Sequence, residues 1–306
     1  MRKRFMPAVL LLVMIVAFAA VMAGCSSGPD YKIDVTKELY FQKEKASPFE
    51  IKVTENGKAV TGLSVSVKLS MSNMDHGTVK AKFAEGKGGT YSADVKVPMN
   101  GKYEAVFNLE KGGKKTEKVI SIEAAKPEGV AKVNEKWITN EDVTFYKLIN
   151  RLQLEINREA AKKNYSGAQL DEELAYLDSQ EKLAEDKNQL LTQIIRLRSM
   201  AMLAEEKGHK AEAAEVDAAV EKARGQYAQF PSAQALIKQY GEEKFWTVEK
   251  QQYKLIVLAQ MVQKDLVDQA KKENPKAGDQ EVYYQAQKKY EDLLVSQINS
   301  LKIEIL

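Results

Sequence analysis

The sequence predicts a two-domain chain: an all-β immunoglobulin-like sandwich followed by an all-α helical domain with a small terminal strand pair. Three observations predict it. Apolar and polar residues alternate at period two from Tyr31 to Ile122. The alternation stops at a Pro- and Gly-bearing joint, Ala124-Ala125-Lys126-Pro127-Glu128-Gly129. Beyond it, apolar residues recur at helical spacing, most clearly over Asn188 to Lys207, NQLLTQIIRLRSMAMLAEEK. The resulting boundaries are 31–125 for the sandwich, 126–129 for a linker and 130–306 for the helical domain, with residues 1–30 ahead of them.

Length and composition fit this division. Each part of a 306-residue chain with 44% hydrophobic and 29% charged residues can bury its own core. The formal charge of +3 comes from Arg2, Lys3 and Arg4, because without them 43 basic residues face 43 acidic ones. A balanced chain lacks the basic surplus that nucleic-acid binding uses, so no nucleic-acid partner is expected.

The basic start precedes an apolar run from Phe5 to Ala20, then Val21-Met22-Ala23-Gly24-Cys25. Small residues leading into the chain's one cysteine resemble a bacterial lipoprotein signal with its lipobox, although Met22 stands where Leu is commonest. The resemblance implies a signal peptide over 1–24 cleaved before Cys25, lipid on the Cys25 sulfur, a lipidated tether over 25–30, and an extracytoplasmic chain anchored to the membrane by acyl chains. The competing reading of the same run is an uncleaved membrane span with an incidental cysteine. Ser26-Ser27-Gly28-Pro29 reads as a flexible tether.

In the first domain, Ile33/Val35, Ile51/Val53, Val65/Val67/Leu69, Tyr91 to Val97, Tyr103 to Leu109 and Val119/Ile122 mark six or seven short strands. Asn56-Gly57 and Asn100-Gly101 stand at hairpin spacing. The order of Asn56-Gly57-Lys58-Ala59-Val60, Leu69 to Gly77 (LSMSNMDHG) and Gly89-Thr90-Tyr91 through Met99-Asn100-Gly101-Lys102-Tyr103 resembles the YtkA-like (FixH-related) sandwich family. Tyr103 replaces a frequent Trp and Ser72 a frequent Pro. Met71, Met74, His76 and Met99 offer soft thioether and imidazole ligands suited to Cu(I). The competing reading packs Met71 and Met99 inside the sandwich as gap-fillers, with Met74 to His76 as a polar loop.

In the second domain, Val130 to Asn134 reads as a strand and Thr139 with Asp142 as a capping-box helix start. Phe145, Ile149, Leu152 and Ile156 stripe the first helix, which Asn164 to Gly167 breaks. A charged helical stretch then runs from Leu170 into the central helix, which Gly208 closes. Further helices span Ala214 to Ala228, start at Pro231, and begin near Thr247, the last striped by Val248, Leu255, Ala259, Val262 and Leu266. A polar loop over Lys271 to Asp279 precedes a final helix and the alternating end Lys302 to Ile305.

This ordered series resembles the N-terminal chaperone domain of SurA- and PrsA-type foldases. Its carriers are Val130 to Asn134 with Ile138-Thr139, Leu190 to Gly208, Glu215-Val216-Asp217 through Val220, Phe230-Pro231, Tyr240-Gly241 and Leu301 to Ile305, with Glu135 where Gly is usual. The resemblance implies a SurA-N-like helical domain that holds unfolded or partly folded polypeptides without ATP, and the pairing of Val130–Asn134 with Lys302–Leu306. Many such relatives carry a parvulin prolyl isomerase, and the loop over Lys271 to Asp279 has no room for one. With only His76 and His209, no isomerase site can be assembled, and His209 reads as a residue at a helix C-terminus. Neither GxSxG, GxxxxGK[ST], HExxH nor CxxC occurs. The chain therefore reads as a non-enzyme.

Client contact is expected in the aromatic stretch that holds Phe230, Tyr240, Phe245, Trp246 and Tyr253. Phe245 and Trp246 are adjacent and cannot both face inward on one helix, so one should be exposed. The alternative is that this set forms the core between short helices. The alternatives to a holdase are copper handling by the sandwich and a structural envelope adaptor.

Overall fold

The structure, a computed structural model, describes residues 29–73 and 77–306. The chain divides into two compact units after Pro127. Cys25, Met74 and His76 lie outside the described residues.

The first unit is the expected sandwich. Its strands are β1 (Tyr31–Lys37), β2 (Ser47–Glu55), β3 (Lys58–Ala59), β4 (Ser64–Met71), β5 (Thr78–Glu85), β6 (Thr90–Val95), β7 (Gly101–Lys111) and β8 (Lys114–Ala124). They run in the order β1-β2-β6-β5-β4-β7-β8, with β3 pairing β2. The two sheets join where Ala84 and Glu85, at the end of β5, pair with Ser92 and Tyr91 of β6. Period-two alternation does the sorting: Phe49, Ile51 and Val53 of β2 are buried while Glu50, Lys52 and Thr54 are not. Phe49, Phe83 and Phe107 come from different strands and meet at centroid distances of 5.7, 5.8 and 6.5 Å. The buried Tyr91 hydroxyl donates to the Val60 carbonyl (2.9 Å) and accepts from the Leu63 N–H (3.2 Å), so its polar end is paired.

The two Asn-Gly pairs behave differently. Asn56 (φ 49°) and Gly57 (φ 76°) both adopt positive φ and turn β2 into β3, as a two-residue hairpin requires. Asn100-Gly101 makes no hairpin. It links β6 to β7, which are not neighbours, so the chain crosses there between sheets. The second tight hairpin is instead Gly112-Gly113 (φ 57° and 77°), between Lys111 and Lys114.

The second unit comprises β9 (Ala131–Val133), β10 (Lys136–Ile138), α1 (Asn140–Asn164), α2 (Ala168–Ala184), α3 (Lys187–Glu206), α4 (Ala213–Tyr227), α5 (Pro231–Tyr240), α6 (Glu242–Glu273), α7 (Asp279–Ser300) and β11 (Ile303–Ile305). β9 lies between β10 and β11, and β11 pairs it antiparallel, so the two ends of the unit meet as anticipated. The strand β10, folding back on β9, was not anticipated. Helix α1 opens on a full capping box. The Asp142 N–H donates to Thr139 Oγ1 (3.1 Å) and the Thr139 N–H to Asp142 Oδ2 (2.8 Å).

The central helix α3 has apolar contacts on two sides. Leu191, Ile194 and Ile195 pack on the small sheet, while Met200, Ala201 and Ala204 meet Leu258 and Val262 of α6 and Leu294 of α7. It ends in a Schellman turn: the His209 N–H donates to Ala204 O, the Gly208 N–H donates to Glu205 O, and Gly208 takes φ 88°.

Three boundaries move. The stretch expected to run unbroken into α3 is interrupted at Glu185-Asp186, because Asp186 caps a new helix by accepting from the Gln189 N–H at 2.9 Å. Helix α6 starts at Glu242 rather than near Thr247, since Gly241 (φ 101°) completes the turn out of α5 by itself. The loop before α7 shrinks to residues 274–278.

Gly129 has no room for a side chain, because a Cβ there would overlap the Ile138 carbonyl, which accepts from the Val130 N–H at 2.8 Å. Gly129→Ala is therefore expected to destabilise the helical unit by about 1–3 kcal/mol. Its thermal transition should fall while that of the sandwich stays in place, and an unchanged transition would refute this.

Candidate functional site

Sequence reasoning placed client contact on the aromatic residues of α4 to α6. The structure gathers them, but as packing. Phe245 is fully buried at the centre, 4.9 Å from Trp246 (interplanar angle 89°), 5.5 Å from Phe145, 6.2 Å from Tyr227 and 6.4 Å from Tyr240, centroid to centroid. The expectation that Phe245 meets clients is corrected: it is the hub of an edge-to-face cluster, and its removal would open a cavity. Phe230, Tyr240, Trp246 and Tyr253 are half-buried. Cations lie over three of these rings: Arg224 at 4.5 Å from Trp246, Lys244 at 5.2 Å from Tyr240 and Lys163 at 5.4 Å from Phe230.

Below the rings lies a polar stripe that apolar periodicity missed. Phe245, Glu249 and Gln252 share the inward face of α6, whereas Val248 and Leu255, assigned to that face from sequence, are only half-buried. The spacing 245, 249, 252 is itself helical; the signal was hidden because two of its members are polar. Gln252 Oε1 accepts from the Tyr146 hydroxyl at 2.9 Å, and Glu249 Oε1 from the Tyr227 hydroxyl at 3.5 Å. Burial pushes the Glu249 carboxyl up to about 7, against a smaller lowering from Tyr227. Burial likewise raises the Tyr146 and Tyr227 hydroxyls.

Exposed apolar side chains of the helical unit lie elsewhere. On α2, Tyr176 and Leu183 stand two turns apart at 58% and 57% exposure. On α7, Tyr284 (69%), Tyr283 and Val295 point outward. Between α6 and α7, Leu266, Gln269, Lys289, Asp292 and Leu293 line a shallow groove of about 310 Å³. Helix α2 buries only Leu177 and is fastened to α1 by Arg158, whose guanidinium meets Glu155 (2.7 Å), Asp178 (2.7 Å) and Glu181 (2.8 Å). His209 Nε2 lies 2.7 Å from Asp265 Oδ2, joining the end of α3 to α6.

At one end of the sandwich, Met71 closes β4 opposite Tyr103, and the Tyr103 hydroxyl donates to the Met99 carbonyl at 2.8 Å. Met71 is half-buried against the core, and its Cε lies 3.0 Å from where a Cβ on Gly101 would stand. Two of the four soft candidates thus sit at the end where β4 leads toward residues 74–76.

The folded-state pKa of Glu249 exceeds its unfolded value of about 4.3, so the native state holds the proton more tightly. Its contribution to stability is full below the unfolded pKa, falls as pH rises through about 7, and is constant above. The helical unit should lose on the order of 3 kcal/mol over that window. Glu249→Gln should flatten the profile in denaturant titrations from pH 4 to 8, and an equally steep profile in the variant would refute the assignment.

Against known proteins, a family model described as YtkA-like matches residues 27–107. No curated protein matches the chain. Among solved structures, the fibronectin type-III domain of human fibronectin type III domain containing protein 3 is similar at 14% identity and a TM-score of 0.23, covering 35% of this chain and 95% of that one. The chain thus carries a YtkA-like domain within its N-terminal β-sandwich, followed by a helical unit.

Proposed function

We propose that this protein is a membrane-anchored extracytoplasmic lipoprotein that acts as an ATP-independent holdase for non-native secreted or envelope proteins. It binds and does not catalyse. Lipid on Cys25 attaches it to the membrane, and the helical unit, which resembles the SurA-type chaperone domain, meets the client. The observation that carries this reading is the outward apolar set on α2 and α7, Tyr176, Leu183, Tyr283, Tyr284 and Val295. These side chains are not needed by the cores beneath them, and burying them against an unfolded segment removes apolar area from water without demanding a particular sequence.

The test is a fluorescence anisotropy titration of residues 26–306 against a labelled, permanently unfolded polypeptide. Saturable micromolar binding is expected, weakened about tenfold in Tyr176→Ser/Leu183→Ser. No saturation, or binding indifferent to those changes and to Tyr284→Ser, would overturn the reading.

A second reading rests on Met71 and Met99 sharing one end of the sandwich. There, with Met74 and His76, they would offer a soft site for Cu(I). Titration with Cu(I) against a competing chelator should then give binding that Met71→Leu and Met99→Leu weaken at near-constant volume. Binding no tighter than micromolar in the unaltered chain would remove this reading.

A further inference from the structure

β8 ends the strand order of the sandwich. It pairs with β7 without a register shift from Lys114 to Ala124, which makes it a long, regular edge. The other terminal strand, β1, has a shift between Val35 and Lys37, the kind of irregularity that turns an edge away from partners. On the open side of β8, backbone pairing among the described residues is found only at its exit: the Ala125 N–H donates to Leu39 O (3.2 Å), and the Phe41 N–H donates to Ala125 O (2.8 Å).

Alternate residues of a strand send both their N–H and C=O to the same side. Since Ala125 faces outward, Lys115, Glu117, Val119, Ser121 and Glu123 do too, and all five side chains are exposed on the outer face. Val119, in the middle, is 55% exposed. An inward-pointing charge commonly guards such an edge. The candidate here is Lys118, and its ammonium is taken up by Asp30 at 2.8 Å.

We propose that this edge pairs antiparallel with the same edge of a second copy of the chain, about a two-fold axis at Val119. The charge pattern selects both the partner and the register. Centred on Val119, Lys115 lies opposite Glu123 of the other copy, Glu117 opposite Ser121, and Val119 opposite itself. The two-fold repeats each charge pair. Outward-facing residues meet outward-facing residues, so each facing pair exchanges two backbone hydrogen bonds. Centring on Lys118 puts Lys115 against Ser121 and Glu117 against Val119, with no opposite charges facing. Centring on Ile120 sets Glu117 against Glu123, a like-charge contact that opposes pairing. A self-complementary pattern fits an isologous contact, in which one surface meets itself. This assignment is independent of the client-binding reading.

The test is sedimentation velocity on the full chain in detergent, comparing the unaltered protein with Lys115→Glu, Glu123→Lys and the double reversal. The unaltered chain should dimerise. Each single reversal should weaken the dimer about tenfold by turning two attractive contacts into repulsive ones, and the double reversal should restore it. Circular dichroism of the single variants separates loss of pairing from loss of fold, and recovery in the double variant does so again. A chain that stays monomeric to about 100 µM overturns the proposal. So does a dimer that the single reversals leave unchanged, or an edge that instead captures an extended peptide while the chain remains monomeric.

Discussion

The helical unit depends on a closure made by very few atoms. The Lys302 N–H donates to Asn134 Oδ1 at 2.9 Å, and the Asn134 N–H donates to the Lys302 carbonyl at 2.7 Å. At the far end of the same pairing, the Leu306 N–H donates to Val130 O at 3.0 Å. Seven helices lie between the partners, so the closure carries a large loop entropy that only burial elsewhere can offset. The burial is adjacent. Ile298, Leu301 and Ile303 cover Leu191, Ile194 and Ile195 of α3 together with Val133 and Ile138. The sheet is therefore the lid of the α3 core as well as the joint of the two ends. Asn134 suits the position because it accepts φ 50° while presenting a side-chain carbonyl to the returning strand. Glu135 keeps negative φ, so Asn134 alone takes the left-handed region in the two-residue turn between Val133 and Lys136.

How much of this was legible varies with the interaction involved. Patterns that depend on one strand or one helix were readable, as with the β2 alternation, the Thr139/Asp142 capping box and the Gly208 stop. Patterns whose meaning depends on a partner were not. Asn56-Gly57 and Asn100-Gly101 have the same local chemistry, yet only the first joins strands that pair. The difference lies in which sheet receives the next strand. Asp186 could be read either as one more charge on a helix surface or as a cap, and only the direction of the following helix decides. Met71 and Met99 were selected by ligand chemistry, and the pairing of Met71 with Tyr103 shows why they share an end.

The aromatic stretch shows a different limit. Composition identifies where rings concentrate, but not whether they point at solvent or at one another. Phe245 is surrounded because α1, α4 and α5 all supply a ring to it, from Phe145, Tyr227 and Tyr240. That arrangement uses up the apolar faces a client would need. It also forces Glu249, one turn further on, into the interior, where its ionised form is costly. An inward stripe that includes a carboxyl and an amide was invisible to an apolar search, although its spacing was regular.

What the core leaves over is found where packing is thinnest. Helix α2 buries a single residue, Leu177, and is tied to α1 by Arg158 of α1, which gathers Asp178 and Glu181 of α2 beside Glu155 of its own helix. Arg158 presents a planar fork that fixes direction as well as charge, so it can position a helix without a wide apolar seam. Leu170, Leu174 and Leu177 form a narrow inward stripe on α2, while Tyr176 and Leu183 lie off it and face outward. Because Arg158 supplements that narrow seam, α2 holds to α1 without recruiting Tyr176 and Leu183, and they stay available as the surface on which the holdase reading rests.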